Sequence, residues 1–292
     1  MTAAVRATTF IAVFAGVAVG CTGNLETALQ RLSEARALSS NLLVQFTTTA
    51  DAGNRAVMAD SDEASMMYAR EAEEAMQAVQ KDVDALAPLL TALRYSDETG
   101  LLQDFGRQFG EYRTLSQRIL GLAVEKTNLR AQRLSFGPAQ QSADAFRDAL
   151  EAIARSAEAS DRWRIQALTA SAVAAVREIQ AVQAPHIAEP SDEEMDRLET
   201  RMTDAETRAR RALQSLASVT PPGSRPQLTA ATAVFDRFMG LNTEIIGLSR
   251  RNSDVQSLAL SLGHKRMLTA KCEETLGALQ IALAKRTFSG TR

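Results

Sequence analysis

Residues Phe109–Leu150 read FGEYRTLSQRILGLAVEKTNLRAQRLSFGPAQQSADAFRDAL, and Phe235–Leu276 read FDRFMGLNTEIIGLSRRNSDVQSLALSLGHKRMLTAKCEETL. An offset of 126 positions lays Phe109 on Phe235, Tyr112 on Phe238, Leu115 on Leu241, Ile119 on Ile245 and Leu122 on Leu248. Further on, Leu134-Ser135-Phe136-Gly137 falls on Leu260-Ser261-Leu262-Gly263, and Leu150 on Leu276. Solenoid units run about 20 to 50 residues, so this period is too long for one. It is the size of a small domain. The chain therefore reads as two copies of one unit.

Outward from that stretch the apolar spacing is helical, with no alternating pattern of useful length. A first helix is expected from about Asn24 to the Ala52-Gly53-Asn54 neighbourhood or slightly beyond, and a second from Ser61-Asp62-Glu63, with Pro88 kinking or ending it. A third runs from Ser96-Asp97-Glu98 to Gly137-Pro138, a glycine–proline stop. No breaker interrupts the fourth between Ala139 and Pro185, which suggests one helix shared by both units, bent near Ala157–Asp161. After the linker 184–190, Ser191-x-x-Glu194 has the form of a capping box. The segment Thr220–Pro226 is a turn, followed by helices from about Gln227 to Leu262 and from His264 to about Lys285. Leu115, Leu122, Leu129 and Phe136 lie seven apart, as do Leu241, Leu248, Val255 and Leu262, the spacing of a bundle. The expected fold is all-α: two tandem antiparallel four-helix bundles sharing a long central helix, over 24–157 and 158–292.

The first 23 residues read as a membrane anchor or signal segment. Arg6 precedes an uncharged run, and the next charge is Glu26. Ala7–Leu25 is just long enough to cross a bilayer, with Gly16 and Gly20 forming a G-x-x-x-G pair. The same residues fit a signal peptide ending in Ala18-Val19-Gly20-Cys21, a loose lipoprotein cleavage site that would lipidate Cys21. Either reading tethers residues 24–292 to a membrane on its extracytoplasmic, periplasmic side.

The composition excludes more than it selects. A formal net charge of −2 leaves no electrostatic footprint for nucleic acid. Cys21 and Cys272 form no spaced motif for a disulfide scaffold or zinc, and Cys272 reads as a small buried apolar residue. No Glu-x-x-His, Cys-x-x-Cys-His or His-Glu-x-x-His occurs, so no metal site, cofactor or catalytic constellation is expected. His186 and His264 stand near helix ends, where capping or exposure explains them.

One polar track remains. Seven residues after Ile119 stands Lys126, and seven later Arg133, where a bundle ordinarily keeps apolar groups. With Asn128 and Arg130 beside them, these residues could line a wet cavity for a small anion; the alternative is that their long side chains reach the bundle edge and pair there. Asn252 and Ala259 hold the equivalent positions in the second unit.

The run from Ile119 to Pro138, preceded by Phe109-x-x-Tyr112 and an N-terminus suited to entering a membrane, resembles the extracytoplasmic sensor region of bacterial methyl-accepting chemotaxis receptors. The resemblance implies a dimerising four-helix sensor bundle that binds a small molecule such as an amino acid or organic acid. It makes the chain a non-catalytic signal-transduction module. The alternative is a membrane-tethered lipoprotein acting as a structural or interaction rod.

Overall fold

The computed structural model describes residues 19–286, with side chains from Glu26 onward. The anchor segment and the Cys21 thiol lie outside the described side chains. Among the described residues there is no strand, and no helix is long and apolar enough to cross a membrane. The elements are α1 (Val19–Met58), α2 (Asp62–Leu93), α3 (Ser96–Glu125), α4 (Thr127–Leu134), α5 (Gln140–Ser156), α6 (Arg162–Ala188), α7 (Asp192–Val219), α8 (Arg225–Arg251), α9 (Ser253–Leu260) and α10 (Arg266–Lys285). Two π-turns, Ser135–Ala139 and Ser261–Lys265, join α4 to α5 and α9 to α10.

The chain forms two compact units, and neither is a continuous stretch. Unit one takes residues up to 47, then 75–110 and 270 onward; unit two takes 48–74 and 111–269. These are not the stretches 24–157 and 158–292 expected from the offset. The shared central helix is also absent, because α5 stops at Ser156 and Ala157 is extended, with ψ 141°. The buried Ala157 and the Arg162 guanidinium, which donates twice to the Ala157 carbonyl, close this turn. Neither signal involves glycine or proline, so the sequence suggested a bend at Ala157–Asp161 and not a stop.

Unit one is an antiparallel arrangement of four helical segments. Phe46 of α1 meets Phe105 of α3 edge-on at 5.9 Å, and Phe105 stacks on Phe109 at 5.6 Å. Leu42, Val79, Leu86, Leu276 and Leu279 fill the rest of the core. Each such side chain removed from water contributes about 1.5–3 kcal/mol. Cys272 is buried among them, as its apolar surroundings in the sequence suggest. Arg36 donates to the carbonyls of Leu283, Ala284 and Arg286, satisfying the free acceptors at the end of α10. Glu98, 1% exposed, receives two hydrogen bonds from Arg286 at 2.6 and 2.8 Å. Those bonds hold its carboxyl below the usual range, so the stability they supply is lost as pH falls through it.

Unit two contains a bundle of α5–α8. Phe146, Ile179, Met202, Phe235 and Phe238 are central, and Ala172, Ala175, Ala205 and Ala209 let α6 and α7 approach closely. Ser191 is the N-cap of α7, its Oγ accepting from the Glu194 N–H. The reciprocal half of the box is replaced, because the Ser191 N–H donates to Glu189. Ser191→Ala is expected to cost about 1 kcal/mol, read as a lower midpoint of chemical denaturation.

Pro88, expected to kink or end α2, lies inside it, and the expected stop at Pro185 is passed through in α6. Gly137-Pro138 sits within the first π-turn, where the extra residue shifts the hydrogen-bond ladder around a proline that has no N–H to give. Gly263 occupies the second π-turn in the same way. The heptad leucines are half-buried, and Phe136 and Leu262 at their ends are exposed. The buried row instead runs through Tyr112, Ile119 and Lys126, and through Phe238, Ile245 and Asn252.

Candidate functional site

Two of the long expected helices, the third and the one from Gln227, each break at a single residue. Lys126 separates α3 from α4, and Asn252 separates α8 from α9, each in the left-handed conformation, with φ 49° and 50°. Their numbers differ by 126, as do those of the two π-turns. For residues other than glycine that conformation costs roughly 1–2 kcal/mol, with asparagine tolerating it best. Something must stabilise both breaks.

Each break restarts a helix whose first N–H groups lack partners within it. Here the two restarts cap one another. The Thr127 N–H donates to Ser253 Oγ, and the Ser253 N–H to Thr127 Oγ1, both at 3.1 Å. The Asn128 N–H donates to Asp254 Oδ2 at 2.8 Å, and the Asp254 N–H to Asn128 Oδ1 at 3.2 Å. Alongside, Arg251 makes two hydrogen bonds to Glu125 at 2.6 and 2.5 Å. All of these pairs join residues 126 apart.

The amides close the remaining valences. Asn128 Nδ2 donates to the Ile187 carbonyl at 2.6 Å and to Asn252 Oδ1 at 2.8 Å. Asn252 Nδ2 reaches the Glu189 carbonyl at 2.9 Å. The Lys126 ammonium, 2% exposed, donates to the carbonyl of Ala59 at 2.6 Å and lies 3.7 Å from Asp254 Oδ1. It therefore places a cation at the negative end of α1.

The polar layer continues into the α5–α8 bundle. Ser135 donates to Gln183 Oε1, and Gln183 Nε2 donates to Asn242. His186 is fully buried, which corrects the expected capping or exposed role; His264 is exposed. The imidazole lies 2.8 Å from Ser249 Oγ through Nδ1 and 2.8 Å from Glu199 through Nε2. Ser249 has one proton, and it donates to the His186 carbonyl at 2.8 Å. Its oxygen is then free to accept at the Nδ1 side of the ring, while Nε2 stands against the Glu199 carboxylate. Burial works to raise the Glu199 carboxyl, but hydrogen bonds from Arg250 and His186 hold it below its ordinary value.

Of the four residues expected to line an anion cavity, two are buried and two are not. Lys126 and Asn128 lie in the crossed joint with their hydrogen bonds already made. Arg130 is exposed, and Arg133 reaches Asp62 at 3.5 Å with half its side chain in solvent. The left-handed turn at Lys126 interrupts the seven-residue spacing that would have carried Arg133 inward. Asn252, expected at the equivalent position of a separate second unit, belongs to this same joint, and Ala259 is exposed. The joint was missed because its caps act across 126 residues and not within one turn; adjacent Thr127-Asn128 and Ser253-Asp254, both good capping types, were the available signal. Among the described residues no group of three His, Cys, Asp or Glu side chains could hold a metal ion.

No protein-family model matches the chain, and no curated protein matches it. A crystal structure of the TorS sensor domain–TorT complex in the presence of TMAO is similar over 88% of this chain and all of that one, at 15% identity and a TM-score of 0.31.

Proposed function

We propose that the chain is a non-catalytic sensory, ligand-binding module of the bacterial cell envelope, serving as the input region of a chemotaxis-type receptor. The supporting observation is the crossed joint. Two helices that could have run straight through unit two are each broken at one left-handed residue and restarted on side-chain caps. Sparsely populated backbone conformations, held only by their surroundings, are a common basis of two-state elements. A ligand that favours one register of the restarted helices would shift their population by its difference in affinity for the two. In this reading residues 1–23 anchor the chain, the rest is periplasmic, a homodimer relays the shift, and the ligand is an amino acid or organic acid.

The full chain, purified in detergent, should be screened by thermal unfolding against amino acids and organic acids. A true ligand present at 100 times its Kd stabilises by about 2.7 kcal/mol, well above the detection limit of such a screen. A subset of related compounds raising the melting temperature is the expected result. A uniform lack of response would favour the structural-rod reading.

A further inference from the structure

We propose that the cleft between α5 and α6 binds a small amphiphilic carboxylate, with Arg155 and Thr169 holding the head and alanines carrying the body. The cleft measures about 530 Å³, a size suited to a small molecule. Ala154, Ala170 and Ala174 line it, and their methyl groups leave open what larger side chains would fill.

The second observation is Thr169, which also lines the cleft. It is 5% exposed, and its Oγ1 has no hydrogen-bond partner. Helical threonines elsewhere in unit two return their hydroxyl to the carbonyl four residues back, as Thr200, Thr203, Thr207, Thr232 and Thr243 do. Thr169 makes no such bond. A buried hydroxyl without a partner costs free energy that a ligand oxygen can recover.

The cation is equally available. Arg155 is 71% exposed, and its nearest carboxylate, Glu151, which also lines the cleft, lies 3.7 Å away in a loose ion pair without a hydrogen bond, which a bound carboxylate would have to displace. A planar guanidinium in that state is matched to a carboxylate, which it can grip with two parallel N–H groups. Along α6, positions 163, 166, 170 and 174 share one face by helical spacing. Trp163 stands at the end of the same stripe, 71% exposed, on the opposite side of Thr169 from Ala170 and Ala174, so the tail lies along the alanines and the indole serves as a reporter beyond the head.

Because Trp163 is the chain's single tryptophan, it reports occupancy directly. Full chain titrated with hexanoate should give a saturable change in tryptophan fluorescence, and hexylammonium, with the same tail and opposite charge, should give none. Thr169→Val keeps the shape and removes the hydroxyl; it should weaken hexanoate about tenfold while leaving the melting temperature unchanged or higher. Ala170→Leu, on an exposed helix position, should fill the cleft and abolish the response without loss of helical circular dichroism. The proposal is overturned by a non-saturating hexanoate titration, by an equal response to hexylammonium, or by a Thr169→Val variant that binds as tightly as the parent. This titration reads one cleft without any signalling output, so its failure leaves the sensory reading standing. A compound that raises the melting temperature without moving Trp163 would instead place that compound's site elsewhere.

Discussion

Replacing Lys265 with methionine is expected to stabilise the protein by about 3 kcal/mol at pH 7. The ammonium is 2% exposed, and the oxygens it donates to are neutral acceptors. Its Nζ donates to Asn54 Oδ1 at 3.1 Å and to the Ala50 carbonyl at 3.4 Å, and lies 6.0 Å from the centre of the Tyr112 ring. Burial pushes it from its ordinary 10.5 down to about 8. That gap corresponds to about 3 kcal/mol of penalty on the charged form. Below pH 8 both folded and unfolded chains hold the proton, and the penalty is complete. Between pH 8 and 10.5 the unfolded chain holds more protons than the folded one, so stability gained by this group rises with pH. The advantage of Lys265→Met in denaturant unfolding should therefore be largest at pH 7 and shrink through that window. Asn54 Oδ1 keeps a donor in Ser261, and the Ala50 carbonyl lies within α1, so the substitution orphans neither acceptor. A variant less stable than the parent at pH 7 would mean that those two bonds and the ring outweigh the burial cost.

The same lysine explains a glycine. The first helix was expected to end in the Ala52-Gly53-Asn54 neighbourhood or slightly beyond, and it ends at Met58, past Gly53. A Cβ at position 53 would stand 2.7 Å from Lys265 Nζ, so the glycine makes room for a side chain and does not stop the helix. Pro138 and Pro185 were misread for a related reason: local rules describe what a residue does in isolation, and tertiary packing accommodated both. What local physics did disclose was the helical class, since 3.6-residue periodicity is fixed by burial on one face. The 126-residue offset was visible for the same reason, but the partnering of its copies was not. Copies read as sharing one long helix suggest adjacent bundles. Here Thr127 and Ser253 face each other directly within one unit, and only contact information reveals that. Lys126 and Asn128 stood out as polar residues on an inward track, and they are buried. Their partners, a helix end near Ala59 and the caps at Ser253-Asp254, are remote in sequence.

The joint itself carries the remaining large expectation. Asp254→Ala should cost about 3 kcal/mol, because it removes the carboxylate nearest a buried ammonium together with the cap on the Asn128 N–H. Charge and cap can be separated. Asp254→Asn retains an oxygen able to accept from the Asn128 N–H while removing the charge, and Lys126→Met removes the cation while retaining the length of the side chain. If the two charges support one another, the double substitution should cost at least about 1 kcal/mol less than the sum of the singles in denaturant unfolding. Strict additivity would mean that the Ala59 carbonyl suffices for Lys126 and that Asp254 acts only as a cap. Additivity would also weaken the case for a responsive joint, because the restarted helices would then be held by two independent fastenings. Coupling ties both breaks to one electrostatic contact: whatever displaces Asp254 would loosen the cap on α4 and the hold on the end of α1 together. Under the sensory reading proposed above, that linkage of two helix ends through a single carboxylate is the element a ligand would act on.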